Sequence, residues 1–152
     1  MDVSLILITL LLGTIATWLA GDKWASKTAL FFSTAAFAVT AYIIYLYTQG
    51  NMVSMHFLWI KKPLVIFGLQ ADGLSLTMTA LTTALTPLIV YSSFGNLFPR
   101  TRNFYALIML MSFSMVGSFL AVDALVYYIF WELALIPVSY THLRAHETDS
   151  YL

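Results

Sequence analysis

The sequence predicts an all-α membrane protein, a polytopic bundle of about five transmembrane helices, from its composition and from the length of its apolar segments. Hydrophobic residues make up 61% of the 152 residues, charged residues only 9%, and the mean hydropathy is +0.85. Soluble domains carry about 25% charged residues, so this chain lacks the polar surface of a water-facing globule. The composition also argues against disorder, and the absence of cysteine excludes disulfides and thiolate-held metal centres within this chain.

Five apolar segments are predicted to be transmembrane helices, since about 20 apolar residues cross about 30 Å of hydrocarbon; the fifth, at about 20 Å, is short of a full crossing. The first begins at once, with Asp2 in place of a basic flank and no cleavage site after it, so we interpret it as a retained helix rather than a signal peptide. The third is rich in threonine and contains Pro87. The predicted helices are 3–20, 28–47, 74–94, 104–122 and 124–137.

Residues 52–72 are mixed in character and are predicted to form an extramembrane loop that partly lies on the membrane interface. Phe57 and Trp59 would suit that position, and His56 beside them is interpreted as an ordinary interfacial residue. The many tyrosines and phenylalanines are interpreted as interfacial belts and packing rather than as a quinone pocket.

The basic residues of the connections predict that the N-terminus lies outside. In that orientation four basic residues are inside and two are outside, which agrees with the excess of lysine and arginine in cytoplasmic loops. The inside residues are Lys23, Lys27, Arg100 and Arg102, and the outside residues are Lys61 and Lys62. A net charge of zero gives no indication of a nucleic-acid partner; the lipid bilayer is the expected environment.

Residues 138–152 do not continue the apolar pattern and are predicted to be a non-native tail. His142 and His146 have the spacing of a metal-ligand pair beside Glu147, but the H-E-x-x-H order is absent, and we assign no metal site. Residues 138–148, VSYTHLRAHET, instead resemble the translated sequence of a transposon-type sequencing adapter. We assign no function to the tail.

Glu132 is the candidate functional residue, because it is a lone carboxylate at membrane depth. It lies eight residues after Ala124, about 12 Å along a helix and therefore near the middle of the bilayer. An unpaired charge there costs several kcal/mol, so the carboxylate is expected to face the bundle interior, gain a partner or hold its proton. Proton transfer is favoured over the alternative, a protonated glutamate that makes one interhelical hydrogen bond. Asp72 and Asp123 stand at helix boundaries and are predicted to be helix caps.

Several motifs resemble one known family. The run Phe130–Pro137, FWELALIP, is the most specific, and DGLS at Asp72–Ser75 is a weaker match. With the N-terminal helices, they make residues 1–137 similar to the first five of about fourteen helices in the subunit M (chain 4) family of proton-pumping NADH-quinone oxidoreductase, respiratory complex I.

The resemblance implies an antiporter-like subunit of a bacterial inner-membrane complex, which takes part in proton translocation driven by electron transfer from NADH to quinone. Glu132 would then be the conducting carboxylate, the catalytic residue for translocation, with a lysine partner on a seventh helix outside this sequence. No cofactor or metal is expected in this chain, since NADH, FMN, iron–sulfur clusters and quinone would belong to the whole complex. Other membrane-arm subunits would be its partners, and the fragment alone is expected to be inactive.

Two alternatives remain open from the sequence. The first is the D-type subunit of a multisubunit sodium/proton antiporter or a membrane subunit of an energy-converting hydrogenase, which share the antiporter-like fold. The second is a non-catalytic membrane scaffold in which Glu132 makes a packing hydrogen bond.

Overall fold

The computed structural model describes residues 3–50, 54–60, 65–95 and 100–149, without the side chains of 55–60, 65–67 and 140–149. It confirms the predicted all-α helix bundle and adds one β-hairpin. Three of the described helices are long and apolar enough to cross a membrane: Gly21–Thr48, Gly73–Ser92 and Thr101–Leu120. The shorter apolar helices are Ser4–Leu19 and Ala124–Ser139. The elements in chain order are α1 (Ser4–Leu19), α2 (Gly21–Thr48), β1 (Ser54–Ile60), β2 (Val65–Gln70), α3 (Gly73–Ser92), α4 (Thr101–Leu120) and α5 (Ala124–Asp149).

The turn between α1 and α2 is shorter than the sequence predicted. The Ala20 amide donates to the Ala16 carbonyl at 2.9 Å at the end of α1, and Gly21 has a left-handed φ of 72°. Glycine adopts that conformation at little cost, so the chain reverses within one residue. As a result α2 begins at Gly21 instead of residue 28, and residues 21–27 are helical rather than a loop.

Helix α4 lies at the centre of the bundle, in contact with α1, α2, α3 and α5. Small residues form much of the neighbouring α2 face, where Ala25, Ala29, Ser33 and Ala36 are all fully buried. Without a hydrophobic drive between helices in lipid, close packing of small residues holds such bundles together. Thr86 of α3 and Ser112 of α4 add a buried interhelical hydrogen bond of 2.7 Å.

The segment before α3 forms a β-hairpin, so the prediction of a loop there was wrong. β1 and β2 pair antiparallel, with Ser54 opposite Gln70. β2 also docks on the α4–α5 connection, because the Val122 amide donates to the Gly68 carbonyl at 3.0 Å and Leu69 bridges to Ala121. The apolar runs MHFLWI and VIFGLQ lack the alternation that distinguishes a half-exposed strand.

Parts of the sequence predictions fall where the structure is not described. Lys61 and Lys62 lie outside the described residues, and so do the side chains of His56, Phe57 and Trp59.

Helix α5 continues through Pro137 to Asp149 instead of ending at residue 137. A proline removes one backbone hydrogen bond, which a long helix tolerates where neighbouring groups satisfy the freed carbonyl. The side chains of His142, His146 and Glu147 are not among those described. The non-native origin of the tail stays a prediction.

Both predicted caps are confirmed at the hairpin end of the bundle. The Asp72 carboxylate accepts from the Ser75 amide at 2.9 Å, and the Asp72 amide donates to the Ser75 hydroxyl, which completes a capping box at α3. Asp123 accepts from the Leu125 amide at 2.8 Å at the start of α5. The Ser75 hydroxyl and, next, the Ser75 amide hold the pKa of Asp72 below its usual value.

The Asp72 cap predicts a specific loss of stability in acid. Because its pKa is lowered on folding, the stabilisation is present above the unfolded value of about 3.9 and is lost as pH falls through the folded value. Asparagine is also a good N-cap residue but has no carboxyl group to titrate, so Asp72→Asn keeps the cap. We therefore expect the melting temperature in detergent to fall less below about pH 4 in Asp72→Asn than in the unchanged protein.

Ser75→Ala is the control, because it removes the first cause of the lowered pKa and should flatten the same part of the pH profile. Identical pH profiles for all three proteins would contradict the assignment.

Candidate functional site on helix α5

The rotation of α5 about its axis is set by the Phe130 side chain. A Cβ atom on Gly117 of α4 would lie 2.6 Å from Cγ of the Phe130 ring, so the ring occupies space that only glycine leaves free. Phe113 packs edge-on against the same ring, with centroids 5.6 Å apart and planes at 67°. Val126, one turn before Phe130, is 1% exposed, and Phe130 is 7% exposed. These two residues define the face of α5 that packs on α4.

Glu132 lies on the opposite side of α5. It follows Phe130 by two residues, a rotation of about 200° at 3.6 residues per turn, and its side chain is exposed on the surface of the five-helix bundle. Of the three options expected for Glu132, the structure therefore contradicts the one in which the carboxylate faces the interior of this bundle. Its depth is unchanged, eight residues into α5.

Tyr128 is the described partner of Glu132. The tyrosine hydroxyl and the glutamate carboxylate lie on one face of the helix, since they are four residues apart, and they are close enough to interact electrostatically. The Tyr128 ring also stacks obliquely on Trp131, with centroids 6.3 Å apart. Sequence analysis missed Tyr128, although its i, i+4 spacing to the candidate carboxylate was a usable indication.

A single phenol hydrogen bond would leave most of the Glu132 carboxylate unsatisfied. An ionised carboxylate offers about four acceptor positions, and Tyr128 can fill one of them. At membrane depth the rest require a cation, further donors or a bound proton.

Candidate metal ligands do not cluster in the part of the chain that the structure describes. Within those residues no group of three histidine, cysteine, aspartate or glutamate side chains is close enough to hold an ion. Asp72 and Asp123 are both used as helix caps, which separates them from Glu132 in role as well as in position.

The Phe130–Gly117 contact can be tested by filling the space that the ring uses. Gly117→Ala should destabilise the protein by about 1–3 kcal/mol, because the ring must move out of a packed site. The unfolding free energy in detergent micelles measures this. Adding Phe130→Leu should recover part of the loss, since the smaller side chain leaves room for the new methyl group.

Ser118→Ala is the matched control, because the Ser118 hydroxyl donates to the Ser114 carbonyl of its own helix at 3.0 Å. It should change stability by less than about 0.5 kcal/mol. Equal effects of Gly117→Ala and Ser118→Ala would contradict the contact.

Comparison with curated proteins gives relatives of one kind, although no family model matches the chain. F(420)H(2) dehydrogenase subunit M of Methanosarcina mazei is 28% identical over 138 residues, which cover 88% of this chain and 28% of the relative. NADH-quinone oxidoreductase subunit M of Pseudomonas aeruginosa is 34% identical over 93 residues, which cover 60% and 18%. NAD(P)H-quinone oxidoreductase chain 4 1 of Synechococcus sp. strain JA-3-3Ab is 30% identical over 139 residues, which cover 89% and 26%.

The matched region is a small part of each relative. The chain spans between 18% and 28% of the length of these three proteins. Their names agree on the kind of subunit, and the same kind was indicated by the FWELALIP run that carries Glu132. Over the matched residues the chain is therefore similar to the subunit M and chain 4 proteins of these oxidoreductases, and it spans about a quarter of their length.

Proposed function

We propose that this chain is part of a proton-translocating subunit in the membrane arm of a quinone-reducing oxidoreductase, with Glu132 as the proton-carrying residue. The observation that carries the proposal is the position of Glu132, midway along the apolar part of α5 (Ala124–Ser139) and exposed on the face that points away from α4. An ionisable residue at that depth is expensive to keep unless its chemistry is used.

The names of the relatives support a shared membrane subunit rather than a particular electron donor. One is named for F(420)H(2), one for NADH and one for NAD(P)H, and all three match this chain. The donor site would therefore lie on other subunits, and so would the flavin, iron–sulfur clusters and quinone site. The role left for this chain is transport within the membrane, in contact with neighbouring membrane-arm subunits.

The outward direction of Glu132 supports a partner that comes from outside the five helices. A cation on a further helix of the full-length subunit would cover this face, as the resemblance to the family implies for a lysine. The chain spans about a quarter of its relatives, which leaves ample sequence for such a helix in a full-length protein.

The mechanism follows from the distance between that cation and Glu132. At an effective dielectric constant of about 20, moving a unit charge from 4 to 8 Å changes the pair energy by about 2 kcal/mol, or about 30-fold in proton occupancy. Approach of the cation would release the Glu132 proton, and its withdrawal would allow another proton to bind. The Tyr128 hydroxyl would stabilise the ionised form by donating a hydrogen bond.

The proposed location is a bacterial inner membrane with the N-terminus outside. The Arg102 amide donates to the Asp22 carboxylate at 2.8 Å, which joins the start of α4 to the α1–α2 turn. The bundle therefore carries Lys23, Lys27, Arg100 and Arg102 at one end, opposite the hairpin. That end would face the cytoplasm, in agreement with the preference of basic residues for the inside.

Glu132→Gln tests the proposal in the full-length subunit within its complex. We expect donor-driven proton uptake into inverted membrane vesicles to be lost or reduced more than tenfold, because glutamine cannot exchange a proton. Tyr128→Phe should have a smaller effect on the same rate, since it removes one hydrogen bond and no charge.

Asp123→Asn is the control, since it removes a carboxylate from the same helix while asparagine keeps the cap. It should pump normally. Near-normal pumping by Glu132→Gln would overturn the assignment of Glu132.

A further inference from the structure

A groove runs between α1 and α4 at the basic end of the bundle. It encloses about 510 Å³, and most of its wall is apolar. Ile15, Leu19, Leu107 and Leu110 form its long sides, and none of these four is buried by the rest of the bundle. The groove is thus open along its length to the surroundings of the helices, which in a membrane are acyl chains.

A cation lies at the mouth of this groove. The Arg102 guanidinium is 5.6 Å from the centroid of the Trp18 ring, and Trp18 is itself part of the groove wall. The Arg102 amide is bound to Asp22, so the backbone that carries the guanidinium is held in place. Arg100, two residues earlier, is exposed beside the start of α4. A tryptophan beneath an arginine at a helix end is typical of the membrane interface.

The electrostatics of this end favour an anion. The α1–α2 turn and the start of α4 carry four basic residues against one acidic residue, Asp22. Helix α4 also begins here, and its N-cap residue, Arg100, makes no side-chain capping bond. The Asp22 carboxylate accepts from the Arg102 amide in the first turn of α4, so this helix N-terminus is already occupied and the excess positive charge comes from the basic side chains.

The groove also has a polar group just below its mouth. Asn103 is part of the wall, and its Oδ1 atom is shielded from solvent with no hydrogen-bond partner among the described residues. A primary amide can accept at Oδ1 and, if turned, donate from Nδ2. The wall thus places an amide just below the mouth and apolar side chains beneath it, although the shielded Oδ1 atom itself is out of reach of a ligand in the open groove.

We propose that the α1/α4 groove binds an anionic phospholipid, with an acyl chain between the helices and the phosphate at Arg102 and Arg100. From its mouth inward, the groove presents the Arg102 cation, then the Asn103 amide and then an apolar channel, an order that agrees with a phospholipid. A zwitterionic headgroup would bring an ammonium group toward the two arginines, so it fits less well. Basic pockets between transmembrane helices bind anionic headgroups in this manner.

Native mass spectrometry of the purified 152-residue chain tests the site. The detergent-solubilised protein is titrated with phosphatidylglycerol or phosphatidylcholine of identical acyl chains, and the bound lipid is counted. We expect one phosphatidylglycerol to bind more tightly than phosphatidylcholine, and Arg102→Gln to weaken its binding about fivefold. Arg102→Gln leaves the backbone amide that binds Asp22, and an unchanged helical circular dichroism spectrum would verify folding.

Two further variants separate the site from general charge attraction. Lys27→Gln removes a cation whose ammonium lies over Trp24, at 4.9 Å, rather than at the groove, and it should leave phosphatidylglycerol binding unchanged. Leu107→Trp fills the groove and should weaken binding of the acyl chain without changing the charge. Equal binding of both lipids, or equal losses in Arg102→Gln and Lys27→Gln, would overturn the proposal. So would unchanged binding in Leu107→Trp, which is the result expected if a protein segment covers the groove.

Discussion

The Phe130 ring packs on Gly117 of α4, in space that a residue larger than glycine at position 117 would fill. The arrangement of the other residues of the site depends on this contact. It presses one face of α5 against the bundle and therefore turns the opposite face outward. Glu132 and Tyr128 lie on that outward face. Since a glycine and a phenylalanine decide the direction of a carboxylate two residues away, the site is a consequence of helix packing as much as of its own residues.

The two ends of the bundle have different roles. At one end, the hairpin and the Asp72 and Asp123 caps fix where α3 and α5 begin, and the bond from Val122 to Gly68 ties the hairpin to the α4–α5 connection. This sets the depth of Glu132 along α5. At the other end, arginines and a tryptophan surround a groove between α1 and α4. The hairpin end thus fixes where Glu132 lies along α5, and the opposite end carries the groove for which we propose a lipid.

The sequence predicted the features that depend on composition and local chemistry. A low charge content predicted the helix bundle, and aspartates at segment boundaries predicted both caps, because a cap is a local interaction. The β-hairpin was not predicted, because polar and apolar residues do not alternate in its two apolar runs. The side of α5 on which Glu132 lies could not be predicted either, since α5 is apolar around most of its circumference from Leu125 to Ile136. Only contact with Gly117 selects one face, and that contact joins residues distant in the chain.

The central claim is the rotation of α5 about its axis, which turns Glu132 away from the other helices. A spin-label scan measures this rotation. The chain contains no cysteine, so single cysteines at positions 124–136 can be labelled without background. In bilayers, collision rates with oxygen should follow a 3.6-residue period, with minima at 126 and 130 and maxima near 128 and 132. A minimum at position 132 would show that Glu132 faces the interior of the five helices, and it would contradict the outward direction of this carboxylate.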